Sequence, residues 1–211
     1  MSGGRQNRLN WFLFMIGYFA FGYTTINWIS SGRSLFFDVG FGWENSIPFV
    51  PAFIFGYILV YLSVLLVYLV IRDPDDWRRV VVAFMISTTL SYACFLAFPV
   101  AMTMRPDLSG LTGFSAEITR YYYIIDLPYN CFPSLHVTYP TLATLVAWRN
   151  HPIMRWVFAA MTAIVAVSVV LVKQHYIADV VAGFASAALC FWITVRVERL
   201  WPCRLSNETA A

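Results

Sequence analysis

Two short clusters in the second half of the sequence contain residue types that could transfer a phosphoryl group. The first is Pro133-Ser134-Leu135-His136, and the second is His175-Tyr176-Ile177-Ala178-Asp179. Each cluster lies beside an apolar segment or in its first turn, where ionisable groups are costly and are therefore candidates for function. Two histidines and one carboxylate that meet at one membrane face would suffice for covalent phosphoryl transfer.

The spacing of four residues between His175 and Asp179 places both side chains on one face of a helix. A carboxylate bonded to one imidazole nitrogen fixes the tautomer and leaves the other nitrogen as the nucleophile. His136 would then act as the general acid for the leaving alcohol, and later as the base for the attacking hydroxyl. We therefore predict that His136, His175 and Asp179 are the catalytic residues.

Three further residues are predicted to bind the phosphate. Pro133 suits the first position of a helix, so the free amides after it and the Ser134 hydroxyl would form an anion site. Arg105 can hold two phosphate oxygens through its planar guanidinium group, and Lys173 adds a point charge. Such positioning and charge neutralisation supply most of the catalysis when the transition state of phosphoryl transfer is loose.

The sequence predicts neither a metal ion nor a cofactor, because it offers no obvious set of ligands. The cysteines do not form a metal-type pair, and three of them lie in or beside apolar segments. A buried thiol in such a place commonly serves as a small apolar residue. Cys131 lies close to the first cluster, which leaves a minor role there open. The four cysteines are Cys94, Cys131, Cys190 and Cys203.

The same residues also have purely structural interpretations. A single His-x-x-x-Asp pattern is a weak signal. Arg105 follows an apolar segment, where arginine commonly anchors a helix at the membrane interface, and Lys173 could extend its amine to the membrane surface. His151 lies among arginines and is assigned no role. Three more polar residues are interpreted as loop or interface residues that could line a head-group site: Tyr122, Asp126 and Asn130.

The composition predicts an all-α integral membrane protein. Hydrophobic residues make up 60% of the chain and charged residues only 12%, a balance that no soluble domain of this size needs. No linker divides the sequence, so we expect one domain over residues 1–211, built as a bundle of six transmembrane helices. Pro140 interrupts the fourth span, which is short. The six spans are Trp11–Ile29, Pro51–Ile71, Val80–Met102, Ser134–Ala147, Trp156–Val172 and Tyr176–Val195.

The basic residues predict that both termini are cytoplasmic. The first span is too long for a cleaved signal peptide and is interpreted as a membrane helix. With six spans, ten of the fourteen lysines and arginines fall on the inner side, as the positive-inside rule requires. Both histidine clusters and Arg105 then lie on the outer side. The ten inner residues are Arg5, Arg8, Arg72, Arg78, Arg79, Arg149, Arg155, Arg196, Arg199 and Arg204.

These motifs resemble the signature of the type 2 phosphatidic acid phosphatase superfamily. That signature has a lysine followed later by Arg-Pro, then Pro-Ser-x-His, then Ser-Arg and, after five residues, His-x-x-x-Asp. Arg105-Pro106, Pro133–His136 and the set of Ser168, His175 and Asp179 match its three parts. The resemblance covers residues 80–195 and implies that His136 is the acid and base, His175 the nucleophile and Asp179 its supporting carboxylate.

Two positions depart from the family pattern. Phe98 stands where the family has its lysine, and Val169 stands where it has its arginine. Lys173 and Gln174 are candidates to replace part of this charge, and Arg120 is another. The remaining pattern is similar to the phosphotransferase branch, which includes inositol phosphorylceramide synthases and sphingomyelin synthases. Fewer cations would suit a phosphodiester better than a doubly charged monoester.

The residues and the resemblance together predict a lipid-phosphate phosphatase or phosphotransferase that uses a phosphohistidine and no metal. The expected partners are a lipid phosphate, a lipid or polyol acceptor, and membrane lipids. The net charge of +3 is too small and too scattered for nucleic acid. We expect a bacterial inner or plasma membrane, with the active site on the extracytoplasmic side. The alternative is a non-enzymatic lipid-binding or transport protein whose polar residues line a path.

Overall fold

The computed structural model describes residues 2–200, and these form an all-helical fold. They contain no β-strand, which confirms the all-α prediction for this part of the chain. Cys203 and Arg204 lie outside the described residues. Two short 3-10 helices span Gly42–Ser46 and Pro51–Phe53. The seven α-helices are α1 (Ser2–Ser31), α2 (Ile54–Val70), α3 (Pro74–Ala97), α4 (Phe114–Ile125), α5 (Leu135–Asn150), α6 (Met154–Leu171) and α7 (Ile177–Leu200).

Five helices are long and apolar enough to cross a membrane, judged by length and composition. Helix α5, at 16 residues, is shorter than these five. It nevertheless runs without a break through Pro140, so the predicted interruption of the fourth span is wrong. The five segments are Gln6–Ser31, Pro51–Val70, Pro74–Ala97, Met154–Leu171 and Ile177–Arg199.

Contacts at one end of the bundle join the start of one helix to the end of another. Arg8 of α1 donates to the carbonyl of Ile71, just after α2, at 2.8 Å. Asp76 in the first turn of α3 accepts a 2.7 Å hydrogen bond from the Asn150 side chain at the end of α5. Helix α1 therefore runs opposite to α2, and α3 runs opposite to α5.

The other end of the bundle brings the starts of α5 and α7 together. The amide of Ser134 donates to the carbonyl of Asp179 at 3.1 Å. Gly183 allows this close approach, because a Cβ atom there would lie 2.7 Å from the Ser134 carbonyl oxygen. The Thr138 hydroxyl also donates to the carbonyl of Gly183 at 3.1 Å. Both sequence clusters are thus fixed at the same level of the bundle.

The third predicted span differs from α3 at both ends. Asp73 caps α3, accepting hydrogen bonds from the amides of Asp75 and Asp76 at 3.0 Å each. The helix stops at Ala97, because residues that precede a proline, here Phe98 before Pro99, disfavour helical geometry. The prediction that this span continues to Met102 is therefore wrong, and Arg105 lies in an irregular segment.

Helix α4 was not anticipated from the sequence. Its 12 residues rise about 18 Å, which is too short to cross a bilayer. Gly113 precedes it with φ +108°, a conformation that favours glycine. Tyr121 and Ile124 are exposed on one side, whereas Thr119 is buried on the other. The helix ends at Ile125, so the next residue, Asp126, comes to the same end of the bundle as the two clusters.

Candidate active site

His175 lies in the tight connection between α6 and α7 and is buried. Its Nδ1 atom is 3.2 Å from Oδ2 of Asp179 in the first turn of α7. The same oxygen accepts a 2.9 Å hydrogen bond from the amide of Tyr176. This carboxylate therefore acts as an acceptor, which assigns a proton to Nδ1 of His175 and leaves its Nε2 atom unprotonated.

His136 faces that Nε2 atom from the first turn of α5. Its Nδ1 atom is 3.2 Å from Nε2 of His175, within hydrogen-bond distance. The ring of Tyr57 packs against the imidazole of His136, with centroids 4.6 Å apart. The structure thus brings the three predicted catalytic residues, His136, His175 and Asp179, into one chain of contacts.

A second carboxylate extends this chain on the far side of His136. Oδ2 of Asp126 is 3.7 Å from Nε2 of His136, an ion-pair distance when the imidazole is protonated. The hydroxyl groups of Tyr23 and Tyr57 donate to the two Asp126 oxygens at 2.6 and 2.5 Å. The sequence placed Asp126 in a loop or interface, where it could also line a head-group site. The signal for a larger role was a carboxylate in an apolar segment ten residues before His136.

Ser134 is the N-cap of α5, so the helix begins two residues later than it would with Pro133 at its first position. The Ser134 amide is already bonded to the carbonyl of Asp179. The predicted anion site on three free amides therefore loses one donor, and that part of the prediction is wrong. The Ser134 hydroxyl is buried and has no hydrogen-bond partner among the described residues.

Arg105 joins the end of α4 to the connection that carries His175. Its Nη2 atom donates to the carbonyl of Asp126 at 2.8 Å and to the side-chain oxygen of Gln174. The guanidinium carbon lies 4.4 Å from the centre of the Tyr123 ring. Two buried donor atoms here, Nε of Arg105 and Nε2 of Gln174, have no hydrogen-bond partner within residues 2–200. Like the Ser134 hydroxyl, they are buried donors that an anion could satisfy.

The position of Lys173 does not fit the phosphate-binding role that the sequence predicts for it. Its Nζ atom donates to the main-chain oxygen of Glu44 at 3.1 Å, and the residue is buried with φ +51°. The pKa of Lys173 lies below its ordinary value, because burial lowers it more than the nearby Glu44 carboxylate raises it. Within the described residues, no hydrogen bond or ion pair joins the Lys173 side chain to His136 or His175. They make Lys173 a tie between the 3-10 helix at Gly42–Ser46 and the connection before α7.

Arg120, another candidate for the missing positive charge, is also occupied elsewhere. Arg120 forms a 2.5 Å ion pair with Glu117 and donates to the carbonyl of Leu108 at 2.8 Å. At the two departures from the family signature, Phe98 stacks on Phe37 and Val169 is fully buried. Within the described part of the chain, Arg105 is therefore the cation linked by contacts to both Asp126 and the connection of His175.

Cys131 comes closer to the site than the sequence indicated. One ligand atom from each of Cys131, His175 and Asp179 lies within 4.8 Å of the others, so the three could hold a metal ion. Metal binding requires a thiolate, however. Burial and the nearby carboxylates of Asp179 and Asp126 raise the pKa of the Cys131 thiol well above its ordinary value. The neutral form of the thiol is therefore favoured, as for a cysteine that packs as a small apolar residue.

The arrangement is suited to the transfer of a group to one imidazole with the help of proton transfer by the other. Asp179 holds His175 with one nitrogen directed at His136, and Asp126 faces the opposite nitrogen of His136. A carboxylate at each end stabilises positive charge on its own ring. One imidazole can therefore carry a covalently bound group while the other donates or accepts a proton.

Comparison with known proteins agrees with this geometry. A family model described as the PAP2 superfamily, the type 2 phosphatidic acid phosphatases, matches residues 38–193, which is more than half of the chain. The match includes Arg105, Asp126, His136, His175 and Asp179, whereas Tyr23 lies before it. A search of the curated proteins and a search of the solved structures found no match. The apolar helices and the family both indicate a membrane protein, and the chain belongs to the PAP2 superfamily.

Proposed function

We propose that this protein transfers the phosphoryl group of a membrane lipid phosphate through a covalent intermediate on His175. One observation carries the proposal: Nε2 of His175 faces Nδ1 of His136 at 3.2 Å while Asp179 holds the opposite nitrogen. A nucleophile and a proton donor thus meet at one point, each oriented by a neighbouring group. Membership of the family supports phosphatase or phosphotransferase activity on lipid phosphates.

The first step transfers the phosphoryl group to the enzyme. Nε2 of His175 attacks phosphorus as the bond from phosphorus to the lipid oxygen breaks. His136, protonated on both ring nitrogens and paired with Asp126 through Nε2, gives its Nδ1 proton to that oxygen and becomes neutral. Asp179 stabilises the positive charge that develops on the His175 ring. The lipid alcohol leaves, and His136 is left without the proton that it donated.

The second step frees the enzyme. His136 takes a proton from water, or from an acceptor hydroxyl, as that oxygen attacks phosphorus and the bond to His175 breaks. The products are inorganic phosphate or a phosphorylated acceptor, and both histidines return to their starting protonation states. The neutral Ser134 hydroxyl and Gln174 amide, with the Arg105 guanidinium, would hold the phosphate oxygens.

Substrate binding must separate the two rings. The phosphorus and the leaving oxygen have to lie between nitrogens that are only 3.2 Å apart without substrate. Asp126 offers His136 a new position, since its carboxylate lies on the side of His136 away from His175. A His136 imidazole that moves toward Asp126 gains a charged partner as it loses His175.

We further propose that six helices cross the membrane, with α5 as the short fourth span and the site on the extracytoplasmic side of a bacterial inner or plasma membrane. The end of the bundle opposite His136 and His175 contains Arg8, Arg78 and Arg79. Arginine concentrated at one end is typical of the cytoplasmic side. The two termini would then both be cytoplasmic.

Transfer of a phosphorylated head group, as in inositol phosphorylceramide synthases, is the second candidate. One observation favours it: Phe98 and Val169, which replace two family cations, are packed among apolar residues. A site with little positive charge neutralises a singly charged phosphodiester more completely than a doubly charged monoester. A lipid or polyol hydroxyl would then replace water in the second step.

The test uses purified protein in lipid nanodiscs with a panel of phosphate-labelled lipids. Each lipid is assayed alone and with inositol, diacylglycerol or ceramide as acceptor. Free labelled phosphate that forms without acceptor would identify a phosphatase, and a new labelled lipid that forms only with acceptor would identify a transferase.

His175→Ala serves as the inactive variant, and His151→Ala, at the opposite end of the bundle, as its matched control. Both reactions should disappear in His175→Ala and persist in His151→Ala. Release of label that is equal in His175→Ala and the unmodified protein would contradict the proposal.

A further inference from the structure

A cavity of about 430 Å³ reaches His136 from within the bundle. We call it the side cavity. His136 and Asp126 line one end of it, so it is continuous with the candidate active site. The rest of its wall is almost entirely apolar and comes mainly from α1 and α2, with Phe84, Leu135 and Tyr139 behind them.

Helices α1 and α2 leave an opening toward the lipid side. Ile16 and Ala20 on α1, and Tyr61 and Leu65 on α2, line the side cavity and are also exposed. An exposed residue that lines a cavity lies on its rim. The side cavity therefore opens between these two helices, in the part of the bundle that hydrocarbon would surround if they span the membrane.

Both ends of this opening are closed by contacts between the helices. At the far end, Phe12 of α1 stacks on Tyr68 of α2 with ring centroids 4.5 Å apart. At the histidine end, Tyr23 of α1 and Tyr57 of α2 both donate to Asp126. The opening is thus a window with fixed ends, through which a narrow apolar chain could pass sideways.

The depth of the side cavity matches one half of a bilayer. Its wall runs along α1 from Thr24 to Phe12, thirteen residues whose Cα atoms span about 18 Å. The hydrocarbon core of a typical bilayer is about 30 Å thick, so one leaflet is about 15 Å deep. Beyond Phe12 and Val64 lies a void of only about 30 Å³, which would not hold further chain.

We propose that one hydrocarbon chain of the substrate lies in the side cavity, entering between α1 and α2, and that the depth of the cavity sets the chain length that the enzyme prefers. This rests on the proposed function, since it places the phosphate of the same lipid between the two histidines. The polar end of the cavity suits a phosphate and the apolar remainder suits a single chain. A second chain, where the lipid has one, stays outside against the exposed face of α2.

The first experiment locates the chain without requiring turnover. A hexadecyl phosphonate, which cannot be hydrolysed, carries a photoreactive diazirine at the chain end and is added to the protein in nanodiscs. Irradiation should label Phe12, Ile16 or Val64, both in the unmodified protein and in His175→Ala. Labelling confined to lipid-facing positions such as Leu62 and Leu69, which are exposed and outside the cavity wall, would overturn the proposal.

The second experiment shortens the cavity. Val64→Trp should lower kcat/KM for hexadecyl phosphate at least about tenfold, because a larger side chain overpacks the cavity that the long chain fills. The same variant should change kcat/KM for butyl phosphate less than about twofold, because a short chain does not reach Val64. Leu62→Trp, on the lipid side of the same helix, is the matched control and should leave both values unchanged. If Val64→Trp does not fold, Ile16→Trp with Leu13→Trp as control replaces the pair.

The outcomes separate this proposal from the proposed function. Labelling inside the cavity by a protein that turns over no lipid phosphate would contradict the function and support the chain site. Turnover that depends on His175 but shows no chain-length change in Val64→Trp would support the function and overturn the chain site.

Discussion

A buried aspartate faces a histidine at each end of this bundle, with nearly the same spacing. Oδ2 of Asp126 lies 3.7 Å from Nε2 of His136, and Oδ2 of Asp76 lies 3.6 Å from Nε2 of His151. These distances alone do not show that the Asp76 pair has a structural role rather than a catalytic one. The two pairs differ in what surrounds them, and that difference separates a candidate site from a structural contact.

At the His151 end, the carboxylate is saturated by groups that hold helices together. Arg79 donates to one Asp76 oxygen at 2.6 Å and the Asn150 amide donates to the other at 2.7 Å. Arg79 also binds Glu198 of α7 at 2.8 Å. These contacts join α3, α5 and α7, and His151 has no second titratable partner among those recorded for residues 2–200.

At the His136 end, the carboxylate is held by neutral hydroxyls, and the histidine contacts a second histidine. Tyr23 and Tyr57 neutralise none of the charge on Asp126, so that charge remains available to a protonated His136. His136 in turn meets Nε2 of His175 and lines the side cavity. A His–Asp pair is thus a candidate for catalysis when its histidine has a reactive neighbour and an opening for substrate.

The largest expected difference between the two ends comes from removing the histidines. His175→Ala should lower kcat by about 10³-fold or more, because no other group can form the covalent intermediate. His151→Ala should leave kcat within about twofold, since its ring contacts only a carboxylate that is already bonded. Initial rates of lipid-phosphate turnover measure both effects. Equal losses in the two variants would remove the distinction between the ends.

Asp179→Asn should have the next largest effect. The asparagine amide can direct a donor at Nδ1 of His175 and so stabilise the wrong tautomer. Loss of a carboxylate that orients a catalytic imidazole should lower kcat by about 10²- to 10⁴-fold. The melting temperature should change little, because asparagine has the same shape. A rate within threefold of the unmodified protein would show that Asp179 does not orient His175.

Asp126→Asn and Asp76→Asn compare the two carboxylates directly. Asp126→Asn should lower kcat about 10- to 100-fold, because His136 loses the charge that supports its proton transfer. Asp76→Asn should leave kcat unchanged but lower the free energy of unfolding by about 1–3 kcal/mol, because Arg79 loses a charged acceptor. Kinetics and thermal unfolding of both variants measure this, and the reverse pattern would contradict the comparison.

The smallest effect is expected at Glu44, which supports the site from outside. Its carboxylate accepts from the amide of Ile177 at 3.0 Å and so caps the start of α7, which carries Asp179. Glu44→Gln keeps one acceptor oxygen and should lower kcat only a few-fold, whereas Glu44→Ala should also lower stability by about 0.5–2 kcal/mol. A loss as large as that of Asp179→Asn would give Glu44 a direct role.

Local features of the fold and site could be predicted from the sequence. The long apolar segments are local, so hydropathy located the helices, although it missed the end of α3 at Ala97 and the amphipathic helix α4. The spacing of four residues between His175 and Asp179 is also local, and the two side chains do meet. Even the contact of His136 with His175 followed, because the predicted topology places the start of the fourth span and the connection before the sixth span on the same side of the membrane.

Partners that come from distant parts of the chain could not be predicted in this way. Tyr23 and Tyr57 reach Asp126 across 103 and 69 residues, and no spacing rule relates them. The place of Lys173 was missed for the same reason, because its partner Glu44 belongs to a 3-10 helix 129 residues earlier. Charge alone suggested a phosphate ligand, whereas packing decides which acceptor a buried lysine meets.

The central claim is that His175 carries the phosphoryl group, and trapping the intermediate tests it most directly. Protein in nanodiscs is mixed with a phosphate-labelled lipid, quenched in alkali to preserve phosphohistidine, digested and mapped by mass spectrometry. The account predicts label on the peptide that contains His175, and none in His175→Ala, with His151→Ala labelled like the unmodified protein. Rapid turnover with no label on His175, or label on another residue, would contradict it.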